Sequence, residues 1–369
     1  MMKIRDEKKK VMVALSGGVD SAAAAALLKK QGFEVIGVFF RLFDSAWNSE
    51  AQVKKVARKL GIPLKIVDGR KEFQKKIIDY FLLAYKKGLT PNPCVVCNKE
   101  IKFKILFDLL QKEKADYVAT GHYARLRRKF KVQSSKFKTE EELFYKLLQA
   151  KDKSKDQSYF LYRLIQKDLA RIIFPLGNYK KSEVIKLARE LQLPVSQEES
   201  QDICFISGSI DKFLAKSIKL RTGNILNDKG RIIGKHRGLP LYTQGQRRGM
   251  EIGPPDSLRD SKRASGTGPY FVLGKNIGKN ELIVTNDPKK LLTNKFRVDQ
   301  IHWINQETKP PMRVQVQIRY QSEKFPAIIR KMKGGGLEVR SRRKMRAVTV
   351  GQSAVFYRGE EVLGGGIII

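Results

Sequence analysis

The chain has 369 residues, enough for two or three domains that each bury a core. Lys and Arg number 74 against 37 Asp and Glu, and the net charge of +37 sets up a positive field that attracts polyanions, with RNA or DNA the natural partner. Three cysteines, Cys94, Cys97 and Cys204, do not make the paired framework of a secreted disulfide protein, and the first apolar run stops after five residues, so neither a leader nor a membrane span is expected and a cytoplasmic location is.

The first element is the apolar run Val11 to Leu15, which reads as a strand. Ser16-Gly17-Gly18-Val19-Asp20-Ser21 follows, and the alanine-rich run Ala22 to Leu28 takes over as a helix. Two glycines let the backbone approach a ligand, two serines add hydroxyls, and the helix start presents unpaired N–H groups, which together suit phosphate. The plain alternative is a strand-to-helix turn capped by Asp and Ser. No lysine follows the glycines, so this is not a kinase-type phosphate loop.

Further along, Glu34 to Phe40 and Leu64 to Val67 read as strands, and Ala51 to Leu60 as a helix stopped by Gly61-Ile62-Pro63. Phe73 to Tyr85 and Ile101 to Leu110 are predicted helices, and Tyr117 to Thr120 a buried strand followed by Gly121-His122-Tyr123. Alternating strands and helices predict a parallel sheet covered on both faces, with ligands at the carboxyl ends of the strands. The serine–glycine loop and Gly121-His122 both sit at such ends. Ala124 to Ala150 is basic and hairpin-like, and Glu183 to Leu191 is helical. Arg221 to Gly249 suggests a small β unit. From Phe296 the reading is β again, where Val314, Val316 and Ile318 alternate with Gln315, Gln317 and Arg319, and a β-barrel is expected. The predicted domains are 1–207 (parallel sheet), 208–292 (β-rich) and 293–369 (barrel).

The loop Thr90 to Cys97 carries the second signal, a Cys-x-x-Cys with two prolines. The prolines predict an extended loop with a helix starting just after Cys97, and Lys99 and Lys102 nearby predict a depressed thiol pKa and a nucleophilic thiolate. Three readings of the cysteines stay open. One is half of a structural zinc site completed by Cys204 and one of His122, His236 or His302. A second is thiol redox or sulfur transfer between Cys97 and Cys204. The third is an iron–sulfur cluster on all three.

The phosphate loop resembles that of the ATP pyrophosphatase superfamily, whose members cleave ATP between the α and β phosphates and adenylate an oxygen of the substrate. Ser16 to Ser21, Asn92-Pro93 with Cys97 to Phe103, Thr120 to Arg125, Lys155 to Tyr159, Asp202 to Phe205, Gly245 to Gly249 and Ile318 to Tyr320 occur in order over nearly the whole chain. As a set they resemble the bacterial tRNA-specific 2-thiouridylase family.

That resemblance implies ATP-dependent thiolation, at C2, of the wobble uridine of the tRNAs for Lys, Glu and Gln. It implies ATP on Ala14, Leu15, Ser16, Gly17, Gly18, Val19, Asp20 and Ser21, with Phe40 and Gly121 beside the adenosine and Asp20 helping to hold Mg²⁺. It implies a persulfide on Cys204, supplied by a relay of sulfur carriers fed by a cysteine desulfurase, and Cys97 as the nucleophile that releases sulfur and leaves a Cys97–Cys204 disulfide. Asn92, Pro93 and Cys94 would touch the target base. Lys155, Asp156, Gln157, Arg319 and Tyr320, with His122 and Gln352, would touch tRNA. Tyr159 and Phe160 are expected in the core. Many members have Asp where Cys94 stands, which puts an acid–base role there in doubt and keeps the cluster on Cys94, Cys97 and Cys204 as the alternative. Another ATP pyrophosphatase, such as an amidating synthetase, lacks its glutaminase cysteine here. An RNA-binding module with a structural metal leaves the phosphate loop without a role.

Overall fold

The computed structural model describes residues 8–44, 47–135, 138–195, 203–252, 269–305, 308 and 310–369. Strands β1 (Lys10–Ala14), β2 (Glu34–Arg41), β3 (Leu64–Asp68) and β4 (Tyr117–Ala119) join strand Ile172–Ile173 in a five-stranded sheet. The order is β3-β2-β1-β4 and then Ile172–Ile173, and every pairing is parallel. Parallel strands need crossovers, and helices α1 (Val19–Lys30) and α2 (Trp47–Leu60) supply the first two. Val11, Met12 and Val13 are fully buried because helices cover both faces.

Helix α1 lies in the interior, with every residue from Ser21 to Leu28 buried. Five consecutive alanines keep it thin enough for neighbours to close in on several sides. Ala23, Ala24 and Leu27 pack on Val184 of helix Lys181–Glu190, and Ala22 and Ala26 pack on Val56 and Ala188. The loop before this helix is thereby held on a stiff base.

The central sheet contains strands Gly223–Asn227, Ile232–His236, Glu251–Ile252, Phe271–Asn276 and Glu281–Thr285. The six strands from Leu292 to Ile368 close into a barrel, because Leu292–Trp303 pairs with both Leu337–Arg346 and Glu361–Ile368. The alternation read in the sequence holds at Val314 and Val316, but Gln317 is buried and accepts a bond from the Tyr357 hydroxyl at 2.9 Å. The expected hairpin, Ala124–Ser135 with Lys138–Gln149, is present. Its far strand pairs Leu148 with Glu361, so an excursion of the first domain is welded to the barrel edge.

One local expectation fails. The helix does not begin after Cys97 but at Pro93, with Asn92 as its N-cap and Pro93 at the first position, where its missing N–H costs nothing. The helix Pro93–Cys97 runs into a π-helical stretch, Asn98–Phe103, and then into helix Lys104–Lys112.

Candidate active site

The phosphate loop is wired within itself. Ser21 Oγ accepts from the Ser16 N–H at 3.1 Å, lies 3.2 Å from Ser16 Oγ and donates to the Gly18 carbonyl at 3.0 Å. Gly17 has φ of +85° and its missing Cβ would press on the Ser49 carbonyl, so a larger residue would be strained in its backbone and crowded at its side chain. Leu15 is anchored by its N–H to the Val38 carbonyl, while Ala14 and Val19 bracket the turn as the strand end and helix start.

Asp20 lies in the first turn of α1 and is not left alone. Lys181 Nζ reaches both carboxylate oxygens, at 2.6 and 2.8 Å, and the Tyr123 hydroxyl donates to Oδ1 at 2.8 Å. Burial and the Asp20 carboxylate raise the Tyr123 pKa, so the hydroxyl keeps its proton. The sequence reading missed Lys181. A lysine in the first turn of a helix opposes the helix dipole, and that misfit was the available signal.

Gly121 presses on the same turn, since a Cβ there would stand 2.9 Å from Asp20 C and Ser21 N. Next to it, His122 Nδ1 lies 2.8 Å from Thr120 Oγ1, and the ring stacks on Phe103 with Phe174 edge-on. Burial, helped by the Lys102 charge, takes its pKa down to about 3, so His122 is neutral and acts only as a hydrogen-bonding ring.

Lys102 links His122 to the thiols, because it interacts electrostatically with His122 and with Cys94, Cys97 and Cys204. Cys97 is 5% exposed and packs among Leu42, Phe73, Ile77 and Ile101, with Phe40 and Phe205 against them. Burial pushes its pKa up to about 12 despite Lys102, the reverse of the depressed value expected from the helix start. Lys99 contributes nothing to that thiol, as its ammonium is paired with Asp168 at 2.9 Å. Cys94 is half-buried. Cys204 is exposed at its surface yet closely surrounded, and its pKa is raised as well, by burial first.

Phe205 sets the place of Cys204. Its ring meets Phe73 at 5.6 Å, Phe81 at 5.5 Å and Phe213 at 5.6 Å, pinning the loop between the Cys97 pocket and the central domain. Gln201 and Asp202 lie outside the described residues. Among the described residues no three His, Cys, Asp or Glu side chains are grouped to hold a metal. His236 lies 3.0 Å from the Asn280 carbonyl and His302 3.1 Å from that of Leu164. Neither the zinc nor the iron–sulfur reading therefore finds its ligand set here.

Beside Cys94 the barrel meets the first domain. Gln352 Nε2 donates to the carbonyls of Thr90 at 2.9 Å and Pro91 at 3.4 Å, the Thr90 N–H returns a bond to Val350, and the Tyr159 hydroxyl donates to Ser353. Asn92 bonds the buried Tyr159, and Phe160 meets Tyr320 at 4.4 Å with Arg319 exposed next to it. Asn92, Pro93, Cys94, Arg319 and Tyr320 thus share one rim. Asp156 and Gln157 use their polar atoms inside. Asp156 is buried and accepts from Gln149 Nε2 at 2.6 Å and the Ala150 N–H at 2.9 Å, and Gln157 pairs both ways with the Tyr123 backbone. Lys155, between them and the surface, is half-buried.

A parallel sheet with this phosphate loop at the carboxyl end of β1 defines an ATP-using enzyme of the HUP class. Three family models match in sequence: a tRNA methyl transferase HUP domain over residues 9–208, a tRNA methyl transferase PRC-barrel domain over 211–286 and an aminomethyltransferase β-barrel domain over 293–368. The chain is 39% identical to the tRNA-specific 2-thiouridylase MnmA of Syntrophomonas wolfei, with 97% of this chain and 99% of that one covered. It is 41% identical to the protein of the same name from Chloroflexus aurantiacus, covering 97% and 98%. The chain belongs to the tRNA-specific 2-thiouridylase family.

Proposed function

We propose that the chain carries out ATP-dependent 2-thiolation of the wobble uridine of tRNAs for Lys, Glu and Gln, with 1–207, 208–292 and 293–369 as its working units. One observation carries the reading. Consecutive residues Gly121 and His122 abut the phosphate-loop helix on one side and Lys102, coupled to the three thiols, on the other, so an activated phosphate and a sulfur donor would lie to either side of the same two residues.

In this reading ATP lies on Ala14 to Ser21 with Phe40 and Gly121 beside the adenosine. The uridine C2 oxygen attacks the α-phosphorus and pyrophosphate leaves, which turns that oxygen into the leaving group AMP. The helix dipole and the loop N–H groups hold the phosphates. Asp20 would be the carboxylate that shares a Mg²⁺ with the phosphates, and the ion would neutralise charge on the departing pyrophosphate. Lys181, now paired with Asp20, would be the second cation there.

Cys97 thiolate then attacks the inner sulfur of a Cys204 persulfide, forming the Cys97–Cys204 disulfide and expelling hydrosulfide. Hydrosulfide adds at C2, AMP leaves, and its proton passes to water. A dithiol supplies two electrons to reopen the disulfide. Sulfur reaches Cys204, the exposed thiol, from carriers fed by a cysteine desulfurase, and the work takes place in the cytoplasm. Asn92, Pro93 and Cys94 would face the base and His122, Lys155, Arg319 and Tyr320 the tRNA, with Asp156, Gln157 and Gln352 holding those segments in place. Because the thiols do not form a ligand set, no step is assigned to an iron–sulfur cluster.

The test is thiolation of unmodified tRNA with ATP and a persulfide donor. Thiouridine and pyrophosphate should form one for one. Pyrophosphate release that ignores tRNA, or none at all, would refute the reading.

A further inference from the structure

Lys102 has no role in the scheme above, yet its position is unusual. In an α-helix, residues five apart point roughly 140° away from each other. Across Asn98–Phe103 the helix is π-helical, its backbone pairing runs from i to i+5, and Lys102 is thereby turned back toward the Cys97 side, where the two groups are coupled. There the half-buried ammonium is coupled to Cys97, Cys204 and Cys94, with His122 on its other side. Among the described residues it makes no hydrogen bond to any group and no ion pair with any carboxylate. The other lysine near the start of this helix, Lys99, is neutralised by Asp168.

A half-buried charge without a counterion is costly, and a chain of this composition had many uncharged ways to fill the space. Burial works against the charge on Lys102, and the three sulfur atoms outweigh it, leaving its pKa above that of an ordinary lysine. His122, neutral, brings no charge of either sign to its side of the ammonium.

Resting on the proposed thiolation, we propose that Lys102 is the cation of the sulfur site, stabilising the anionic sulfur of the Cys204 persulfide and of Cys97 as the sulfur–sulfur bond changes partners. The bonds are those already written: Cys97 to Cys204 forms, the persulfide bond breaks, and the negative charge moves from Cys97 to the departing hydrosulfide. Lys102 sees that charge before and after, and it neither gains nor loses a proton. The π-helical turn is the device that delivers it.

Two experiments test this. In the Cys94→Ser, Cys97→Ser chain only Cys204 remains, and its reaction with 2-sulfonatoethyl methanethiosulfonate is compared with that of the 2-trimethylammonioethyl reagent. The anionic-to-cationic rate ratio should fall at least about fivefold when Lys102→Met is added and stay within about twofold with Lys102→Arg. In the chain with all three cysteines, single-turnover sulfur transfer from preloaded Cys204 persulfide should slow about 100-fold with Lys102→Met and largely recover with Lys102→Arg, while pyrophosphate release stays within about twofold. That retained release shows a folded site, and Lys102→Gln replaces Met should Met disturb it. An unchanged reagent ratio, or parental transfer in Lys102→Met, overturns the proposal. If the parent makes no thiouridine the thiolation reading falls, and the reagent ratio still decides whether Lys102 governs the charge at Cys204.

Discussion

The phosphate loop and the three thiols are built in opposite ways. The loop is local: within six consecutive residues Ser16, Gly18 and Ser21 bond to one another, and α1 fixes them. The thiol cluster draws Cys94 and Cys97 from one helix, Cys204 from a loop about a hundred residues later and a cation from a π-helical turn. Its aromatic surroundings add two more segments through Phe40 and Phe73, while Phe205 comes from the Cys204 loop itself. A site made locally is specified by motif, whereas a site made by packing has its chemistry set by burial.

The largest effects should separate the two regions. Cys97→Ser and Cys204→Ser should each lower thiouridine formation at least about 10³-fold, with tRNA affinity within about threefold by filter binding and adenylation retained. Thiolation surviving in either variant would break the division of labour. Asp20→Ala should instead lower tRNA-dependent pyrophosphate release about 100-fold or more, while persulfide loading on Cys204, read by mass spectrometry, stays intact.

A pH series sharpens the comparison. A thiol with its pKa up at about 12 is almost wholly protonated at neutral pH, and its thiolate fraction rises about tenfold per pH unit below that value. Single-turnover sulfur transfer should therefore climb from pH 7 to 9 without a plateau. His122, with its pKa down at about 3, should add no inflection near 6.5. A plateau by pH 8 would mean that Cys97 is far more acidic than its burial implies.

The smallest effect concerns the rim where the regions meet. Gln352→Ala removes the bonds to the carbonyls of Thr90 and Pro91 and should lower kcat about tenfold with KM for tRNA within about twofold. A rise in KM with unchanged kcat would make Gln352 a direct tRNA contact instead.

Much of this was legible in the sequence. Val11 to Val13, the glycine turn and the alanine helix carry their own periodicity and punctuation, and the alternation at Val314 and Val316 announced the barrel. What escaped depended on distance. Pro93 reads as a loop former because prolines punctuate loops, but as the first residue of a helix it starts one. Two lysines after Cys97 argue for an acidic thiol until Lys99 is found paired with Asp168 and the thiol is found buried among aromatic and aliphatic side chains. The basic hairpin was visible, but its partner strand lies more than two hundred residues away.

The most direct measurement is thiolation by protein purified without oxygen, with ATP and a persulfide donor, run once free of iron and once after iron–sulfur reconstitution, with the visible absorption spectrum recorded. The account predicts thiouridine in the iron-free protein and no gain on reconstitution. Activity only in the reconstituted protein, with a cluster spectrum lost on substituting Cys94, Cys97 or Cys204, would contradict the persulfide relay.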